Sequence, residues 1–271
     1  MITTNIKFVK LSTGVKLQYA EQGDSTGIPV LFLHGLSDSW YSFKPVLSNL
    51  PDSIHAFSIS QRGHGNSDRP KEGYSYNDFA ADLKAFMDSL HIEKAFIVGH
   101  SSPGTTAAQR FTIDCPERTI GLVLISSFMA NPNSQLGWEL WDSFVSRLSD
   151  PIDPQMVRQF QESTVTKPLE KGFFETIIEE SLKVPSSVWK AVVKNNLEKE
   201  DFSKELSKIK APTLLIWGEK DEMVPPDEQK DLSSSILNTR FFIYEDIGHA
   251  VHWEAPERFT SDLLDFIESV D

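Results

Sequence analysis

The sequence has one cysteine, no cluster of basic residues and no long apolar run. The single Cys115 excludes an internal disulfide, and as a lone thiol before Pro116 it is expected to be a small apolar packing residue. Lys and Arg total 26 against 39 Asp and Glu, a formal net charge of −13, which argues against a nucleic-acid ligand because phosphates need a basic face. No apolar run approaches the roughly 20 residues of a membrane helix, and the N-terminal stretch MITTNIKFVKL has no signal-peptide core. These absences predict a soluble cytoplasmic protein without nucleic-acid or membrane partners.

Short, nearly continuous apolar runs recur along the chain and end in glycine or polar turns. Strands that are buried on both faces have this composition, because helices cover both sides of a parallel sheet. Two further strands, near Ile6–Leu11 and Val15–Gln22, flank Thr13-Gly14 and are predicted to form an antiparallel hairpin at the sheet edge. The predicted buried strands are Pro29–Leu33, His55–Ile59, Ala95–Val98, Leu122–Ile125, Thr213–Trp217 and Arg240–Tyr244.

Segments of helical period lie between these strands. The clearest is Tyr76–Leu90, where Asn77 or Asp78 could cap the first turn. Gly104–Ile113 and Pro256–Val270 are predicted to be helices as well. Alternation of strands and helices is typical of an α/β protein with a doubly wound, mostly parallel sheet.

The region 130–208 breaks this alternation, since it contains no strand-like run. Its aromatic residues, among them Trp138, Trp141 and Trp189, are expected either to form the core of a small helical subdomain or to face a ligand pocket. Prolines separate the predicted helices of the region, which are Leu136–Leu148, Pro154–Ser163, Gly172–Val184 and Ser186–Leu197.

The stretch VGHSSPGT, which follows the run at 95–98, has the spacing of a nucleophile elbow. Such a turn leaves a strained serine, here Ser101, exposed between a strand and a helix, and Gly99 provides room where the chain folds back. Pro103 suits the first turn of the following helix, because its missing N–H has no helical partner there. Gly104 can then supply the close packing between helix and strand. The proline is therefore compatible with an elbow.

A second motif, LFLHGLSDSW, follows the predicted strand at 29–33. His34-Gly35 lets the backbone come close, so the N–H of Leu36 can converge with the N–H of Ser102. Two converging backbone donors form an oxyanion hole, and the loss of one such donor typically costs about 2.7–4 kcal/mol of barrier lowering.

A base and its orienting acid are expected near the C-terminus, where ligands gather at the carboxyl ends of parallel strands. WGEKDEMVPP places Asp221 after one strand, and YEDIGHAVHWEAPERF places His249 after the last strand. His249 would accept the Ser101 proton, and Asp221 would fix the imidazole tautomer. Competing candidates are the acids Glu219, Glu222 and Asp227 and the base His252.

Neither a metal nor another cofactor is predicted. His249 and His252 lie on a loop without a third ligand at suitable spacing. Gly63, Gly65 and Gly104 do not form a dinucleotide-binding GxGxxG motif.

Together the motifs HGLSDSW, QRGHGNSD, VGHSSPG, WGEKDEMVP and IGHAVHWEAPERF resemble the α/β-hydrolase superfamily, from about Lys7 to the C-terminus. The resemblance implies a mostly parallel eight-stranded sheet with helices on both faces and a helical cap. It implies a core of residues 1–129 and 209–271, a cap of residues 130–208 inserted after strand six, and hydrolysis through Ser101, Asp221 and His249.

Two positions depart from the family pattern. The family usually has glycine at the position of Pro103, which bears on the elbow geometry. It usually has aspartate in the turn that here reads Ser60-Gln61, so Gln61 is expected either to contact substrate or to pack structurally. Trp138, Trp141 and Trp189 are further candidate substrate contacts.

The serine nucleophile restricts the chemistry. Epoxide hydrolases and haloalkane dehalogenases of this fold need a carboxylate nucleophile, whereas serine suits acyl transfer through an acyl-enzyme. An aromatic-rich cap without an obvious cationic clamp favours a small-molecule partner that is an apolar or bulky ester or lactone. The chain also resembles bacterial serine esterases that open macrolide lactone rings. The alternatives are a carbon–carbon bond hydrolase, a hydroxynitrile lyase, and a ligand-sensing signalling protein of the same fold.

Overall fold

The central element of the computed structural model, which describes residues 4–129, 135–198 and 201–270, is one eight-stranded sheet. Its strands are β1 (Asn5–Lys10), β2 (Lys16–Gln22), β3 (Ile28–Leu33), β4 (Ile54–Ser60), β5 (Ala95–His100), β6 (Thr119–Ile125), β7 (Thr213–Gly218) and β8 (Thr239–Tyr244). Their order across the sheet is β1-β2-β4-β3-β5-β6-β7-β8. All six predicted buried runs fall within these elements, and the two predicted hairpin strands match β1 and β2 except at Leu11 and Val15, which lie outside them.

The sheet is mostly parallel, as predicted. β1 pairs with β2 and β2 with β4 in antiparallel fashion, and the other neighbours are parallel. Gly14 makes the hairpin turn with a φ of +86°, a conformation that glycine adopts without strain. Because β3 and β5 to β8 run in the same direction, the loops that follow them meet at one edge of the sheet.

Helices cover both faces of the sheet, which confirms the predicted fold class. The α-helices of the described residues are α1 (Lys44–Leu47), α2 (Tyr76–Ser89), α3 (Ser101–Asp114), α4 (Gln135–Ser143), α5 (Pro154–Glu162), α6 (Lys171–Leu182), α7 (Ser186–Glu198), α8 (Pro226–Ser235), α9 (Val251–Glu254) and α10 (Pro256–Val270).

Successive residues of a strand pack alternately into two separate hydrophobic cores, one on each face of the sheet. Leu31 and Leu33 of β3 pack with Phe86 of α2 and Phe111 of α3 on one face. Val30 and Phe32 pack on the other face, in a cluster with residues of α1 and α10. Because successive side chains of a strand point to opposite faces of the sheet, apolar strands produce two apolar layers.

The start of α2 differs from the prediction that Asn77 or Asp78 caps it. Ser75 is the N-cap residue, and its side chain accepts a hydrogen bond from the N–H of Asp78. The Asp78 carboxylate accepts from the N–H of Ser75 at 2.9 Å in return. This reciprocal pair is a capping box, in which Asp78 is the third helical residue and not the cap.

The prediction that the run at 240–244 is buried on both faces is wrong. β8 has a single neighbour at the sheet edge, and its Phe242 and Ile243 are 37% and 47% exposed. An edge strand exposes side chains even when its sequence is apolar.

Between β6 and β7 the described chain contains the four helices α4 to α7. Within this region Phe144 stacks on Phe160, and both pack edge-on against the fully buried Trp189. The division into a core of 1–129 and 209–271 and a cap of 130–208 stays a prediction, and residues 130–134 and 199–200 of that cap lie outside the described residues. Among the described helices, none combines the length and the apolarity that crossing a bilayer requires.

Candidate active site

Ser101 lies at the tip of the turn between β5 and α3. Its φ is +49°, and the next residue, Ser102, is extended at φ −99° and ψ 140° before the helix continues. α3 begins at Ser101, three residues before the start predicted at Gly104. The backbone at Ser102 is not helical, however, so the regular helix begins after it. A non-glycine residue at positive φ is strained, as expected of an elbow.

Two glycines allow the elbow to form. A Cβ at Gly99 would lie 2.6 Å from the carbonyl oxygen of Gly104, and a Cβ at Gly104 would lie 2.4 Å from that of Leu33. Both distances are shorter than van der Waals contact permits. The room that the sequence predicted at Gly99 and the close packing predicted at Gly104 are confirmed.

The turns after β7 and β8 bring an acid and a histidine to this serine. Ser101 Oγ lies 2.8 Å from His249 Nε2, and His249 Nδ1 lies 2.9 Å from Asp221 Oδ2. The second Asp221 oxygen accepts hydrogen bonds from the N–H groups of Met223 and Val224, at 2.8 and 3.1 Å. All three side chains are buried, so solvent competes little for these hydrogen bonds. The structure brings together the three residues that the sequence predicted, although their catalytic roles stay predictions.

The competing candidates lie elsewhere. Glu219, Glu222 and Asp227 are exposed, and Glu219 pairs with Lys220. His252 is fully buried, with its Nε2 3.0 Å from the hydroxyl of Ser42.

The predicted oxyanion-hole residues lie beside the serine. Gly35 and Pro103 form an isolated antiparallel β-bridge, which holds the turn after β3 against the elbow. Leu36 and Ser102 both line the cleft into which Ser101 opens. Their role as backbone donors to an oxyanion stays a prediction.

Gln61 does not line the cleft, which favours the structural role over the substrate contact among the two expected for it. Its N–H donates to His34 Nε2 at 3.0 Å, and its side-chain amide donates to the His34 carbonyl at 2.8 Å. The other imidazole nitrogen of His34 lies 2.7 Å from the Gly35 carbonyl. Burial lowers the pKa of His34 well below its usual value, which is consistent with a neutral ring that accepts at Nε2 and donates at Nδ1. Gln61 therefore braces the turn that carries Leu36.

None of the three tryptophans lines the cleft, and their assignment as substrate contacts stays a prediction. Trp189 is completely buried behind Phe160. Trp138 is 37% exposed on α4, and the Trp141 ring lies 5.9 Å from Lys194 Nζ. Of the two expectations for the aromatic residues of the cap, core formation holds for Trp189.

The actual cleft has a volume of about 90 Å³, and its wall is mainly apolar. Sequence reasoning missed most of this wall, including Asn196, whose side-chain amide donates to Ser102 Oγ. The described residues that line it are Leu36, Ser101, Ser102, Thr106, Phe128, Met129, Gly137, Leu140, Phe160, Val192, Val193, Asn196, Leu197 and Met223.

A buried polar cluster lies beside Ser101 and His249, and the sequence motifs did not reveal it. Asp38 accepts hydrogen bonds from Ser42 Oγ at 3.1 Å and from the Gln161 amide at 3.2 Å. Burial nevertheless raises the pKa of Asp38 to about 7. His100 Nε2 lies 3.3 Å from the His249 carbonyl, and burial lowers the pKa of His100 well below its usual value. Asp38 was visible in HGLSDSW, but a loop carboxylate gives no sequence signal of burial.

Comparison with known proteins identifies the family. Residues 28–256 match the family model described as alpha/beta hydrolase fold. An AB hydrolase superfamily protein, YisY of Bacillus subtilis, is 29% identical over 90% of this chain and 92% of its own length. A 2-hydroxy-6-oxononadienedioate/2-hydroxy-6-oxononatrienedioate hydrolase of Paraburkholderia phymatum is 28% identical over 94% of this chain and 92% of its own. The solved esterase of Exiguobacterium antarcticum superimposes with a TM-score of 0.86 at 22% identity, over 97% of this chain and 99% of that one.

The chain therefore belongs to the α/β hydrolase fold family. By this membership and by its relatives it is a hydrolase, although the relatives do not agree on a substrate.

Proposed function

We propose that this protein is a serine hydrolase that cleaves carboxylic esters or lactones through an acyl-enzyme. The observation that carries the proposal is the hydrogen-bonded series from Ser101 Oγ through His249 to Asp221, with distances of 2.8 and 2.9 Å. A serine hydroxyl becomes a competent nucleophile when an adjacent imidazole accepts its proton.

In the proposed reaction Ser101 Oγ attacks the ester carbonyl while His249 Nε2 takes its proton. The N–H groups of Leu36 and Ser102 stabilise the oxyanion of the tetrahedral intermediate. The imidazolium gives the proton to the departing alcohol oxygen, the carbon–oxygen bond breaks, and an acyl-Ser101 ester remains. Water then attacks this ester, again with His249 as base, which releases the acid and returns the proton to Ser101. Asp221 holds His249 in the required tautomer throughout.

The cleft chemistry favours a neutral ester over the main alternative, a carbon–carbon bond hydrolase. The relative from Paraburkholderia phymatum is named for a dienedioate, which carries two carboxylates. Buried carboxylates need cationic or multiple hydrogen-bonding partners. Among the described residues that line the cleft there is no Lys or Arg, and its polar side chains are only Ser101, Ser102, Thr106 and Asn196.

The test is active-site labelling together with turnover. We expect a fluorophosphonate to label Ser101 and to stop hydrolysis of methyl butyrate, measured by titration of the released acid. Ser101→Ala should lower kcat by about 10⁴–10⁶-fold, because the members of a triad act as a unit. Ser234→Ala, at an exposed serine of α8, is the matched control and should retain full activity.

A substrate panel then separates the remaining alternatives. It contains open-chain esters, simple lactones, a macrolide lactone and a 2-hydroxy-6-oxo-dienoate. Turnover of the dienoate without turnover of any ester would replace the proposal by a carbon–carbon hydrolase. Tight binding of a panel compound without turnover of any would favour a ligand sensor.

A further inference from the structure

Ser101 stands at the junction of two cavities. Besides the large cleft, a second, smaller cavity of about 20 Å³ is lined by the same serine. Leu36, Ser101, Phe160 and Met223 belong to the walls of both cavities. An ester bound with its carbonyl carbon at Ser101 Oγ has two ends, so one end must enter each cavity.

The position of the histidine decides which end enters which cavity. His249 lines the small cavity and is not among the described residues that line the large cleft. The departing alcohol oxygen must lie near His249 Nε2, because it receives its proton from that nitrogen. The alcohol side of the ester therefore belongs in the small cavity. The acyl chain then extends into the large cleft, along the apolar wall that includes Val193 and Leu197.

The floor of the small cavity suits a small hydroxyl compound. His100 Nδ1 is buried without a hydrogen-bond partner among the described residues, and it lies 4.0 Å from Asp38 Oδ2. Both residues are at least 97% buried and line this cavity. A hydroxyl group can donate to one such atom and accept from another, and a water molecule can do the same. The cavity can thus hold the released alcohol and then the water that replaces it for deacylation.

We propose that the substrates are esters of a bulky apolar acid with a small alcohol such as methanol or ethanol, and that the small cavity is the site of the alcohol and of the hydrolytic water. The proposal rests on the proposed ester hydrolysis. Atoms balance as in that reaction: the bond from carbon to the alcohol oxygen breaks with a proton from His249, and water supplies the oxygen and hydrogen that restore the acid and Ser101.

Two isomeric esters test the orientation. Methyl octanoate and heptyl acetate contain the same atoms but place the long chain on opposite sides of the carbonyl. We expect kcat/KM, measured by titration of the released acid, to be at least about tenfold higher for methyl octanoate, since misfit of even one methylene in an apolar pocket costs about that much. Equal rates or a preference for heptyl acetate would overturn the proposal.

A substitution in the large cleft provides an independent readout. Val193→Phe narrows the cleft and should lower kcat/KM for methyl octanoate about tenfold, while the rate with heptyl acetate stays near its original value. Leu237→Phe, at a residue that is 55% exposed, is the control for aromatic enlargement alone. Labelling of the Val193 variant by diisopropyl fluorophosphate reports whether its active site is intact. A selective loss of activity on heptyl acetate would reverse the assignment of the two cavities.

The same experiment distinguishes failure of this proposal from failure of the proposed function. Labelling of Ser101 with a preference for heptyl acetate refutes only the orientation. Failure to label Ser101, with neither ester cleaved, refutes the ester hydrolase and the orientation with it.

Discussion

The substitution Asp221→Asn tests the acid of the triad without removing its structural contacts. Asp221 Oδ1 accepts from the N–H groups of Met223 and Val224, and Oδ2 faces His249 Nδ1 at 2.9 Å. The amide oxygen of asparagine can keep both backbone hydrogen bonds, which places its NH₂ group toward His249 Nδ1. That nitrogen must then accept a hydrogen bond, so the ring proton moves to Nε2 and His249 can no longer take a proton from Ser101.

The expected loss follows from this tautomer change. In serine proteases an equivalent change costs about 10⁴-fold in kcat, which corresponds to about 5.5 kcal/mol of barrier. We therefore expect Asp221→Asn to lower kcat on methyl butyrate about 10⁴-fold with little change in thermal stability. The double variant with Ser101→Ala should be no slower than Ser101→Ala alone, because the two residues act as a unit.

The control for this substitution is Asp227→Asn, since the Asp227 side chain is 91% exposed and lies in the first turn of α8. Its activity should be unchanged. An Asp221→Asn variant that folds and keeps more than about a tenth of the wild-type kcat would show that a different group orients His249.

Two further predictions concern stability. Asp82 accepts two hydrogen bonds from the Arg62 guanidinium, at 2.7 and 2.6 Å, and both side chains are buried. Asp82→Ala should therefore lower the free energy of unfolding in urea by about 3–5 kcal/mol, whereas Asp88→Ala, at an exposed ion pair, should lower it by at most about 1 kcal/mol. Equal effects of the two substitutions would contradict this reasoning. Burial raises the pKa of Asp38 from its ordinary 3.8 to about 7. Between about pH 4 and pH 7 the folded protein therefore binds more protons at Asp38 than the unfolded chain does, so the contribution of Asp38 to the free energy of unfolding falls as the pH rises through this range. Asp38→Asn should flatten that part of the curve of unfolding free energy against pH, and an unchanged slope would refute the assignment.

The arrangement of the catalytic candidates could be predicted from sequence because it depends on the order of elements. Ser101, Asp221 and His249 each follow a parallel strand, and the carboxyl ends of such strands share one edge. This relation holds whatever the exact helix packing, so short apolar runs and glycine spacing sufficed.

The cleft wall could not be predicted in this way, because it depends on the rotation and tilt of helices. Trp189 was predicted to be a pocket residue only because it is a tryptophan. In the structure its ring packs against Phe144 and Phe160, and the same helix, α7, places Val192 and Val193 in the cleft wall. The same limit applies to Gln61. Its place in the chain resembled a pocket turn, but two hydrogen bonds to His34 direct its amide into the scaffold.

Phe160 has a consequence for how this enzyme could acquire new substrates. Its ring, carried by α5, is common to the compartments on either side of the nucleophile. Under the proposed orientation, a smaller or larger residue at this position would alter tolerance for the acid and for the alcohol part of the ester simultaneously. Val193 lines only the large cleft, so a substitution there changes tolerance for the acid part of the ester alone. Selection for a different length of the acyl chain alone should therefore leave Phe160 unchanged and substitute residues of α7 instead.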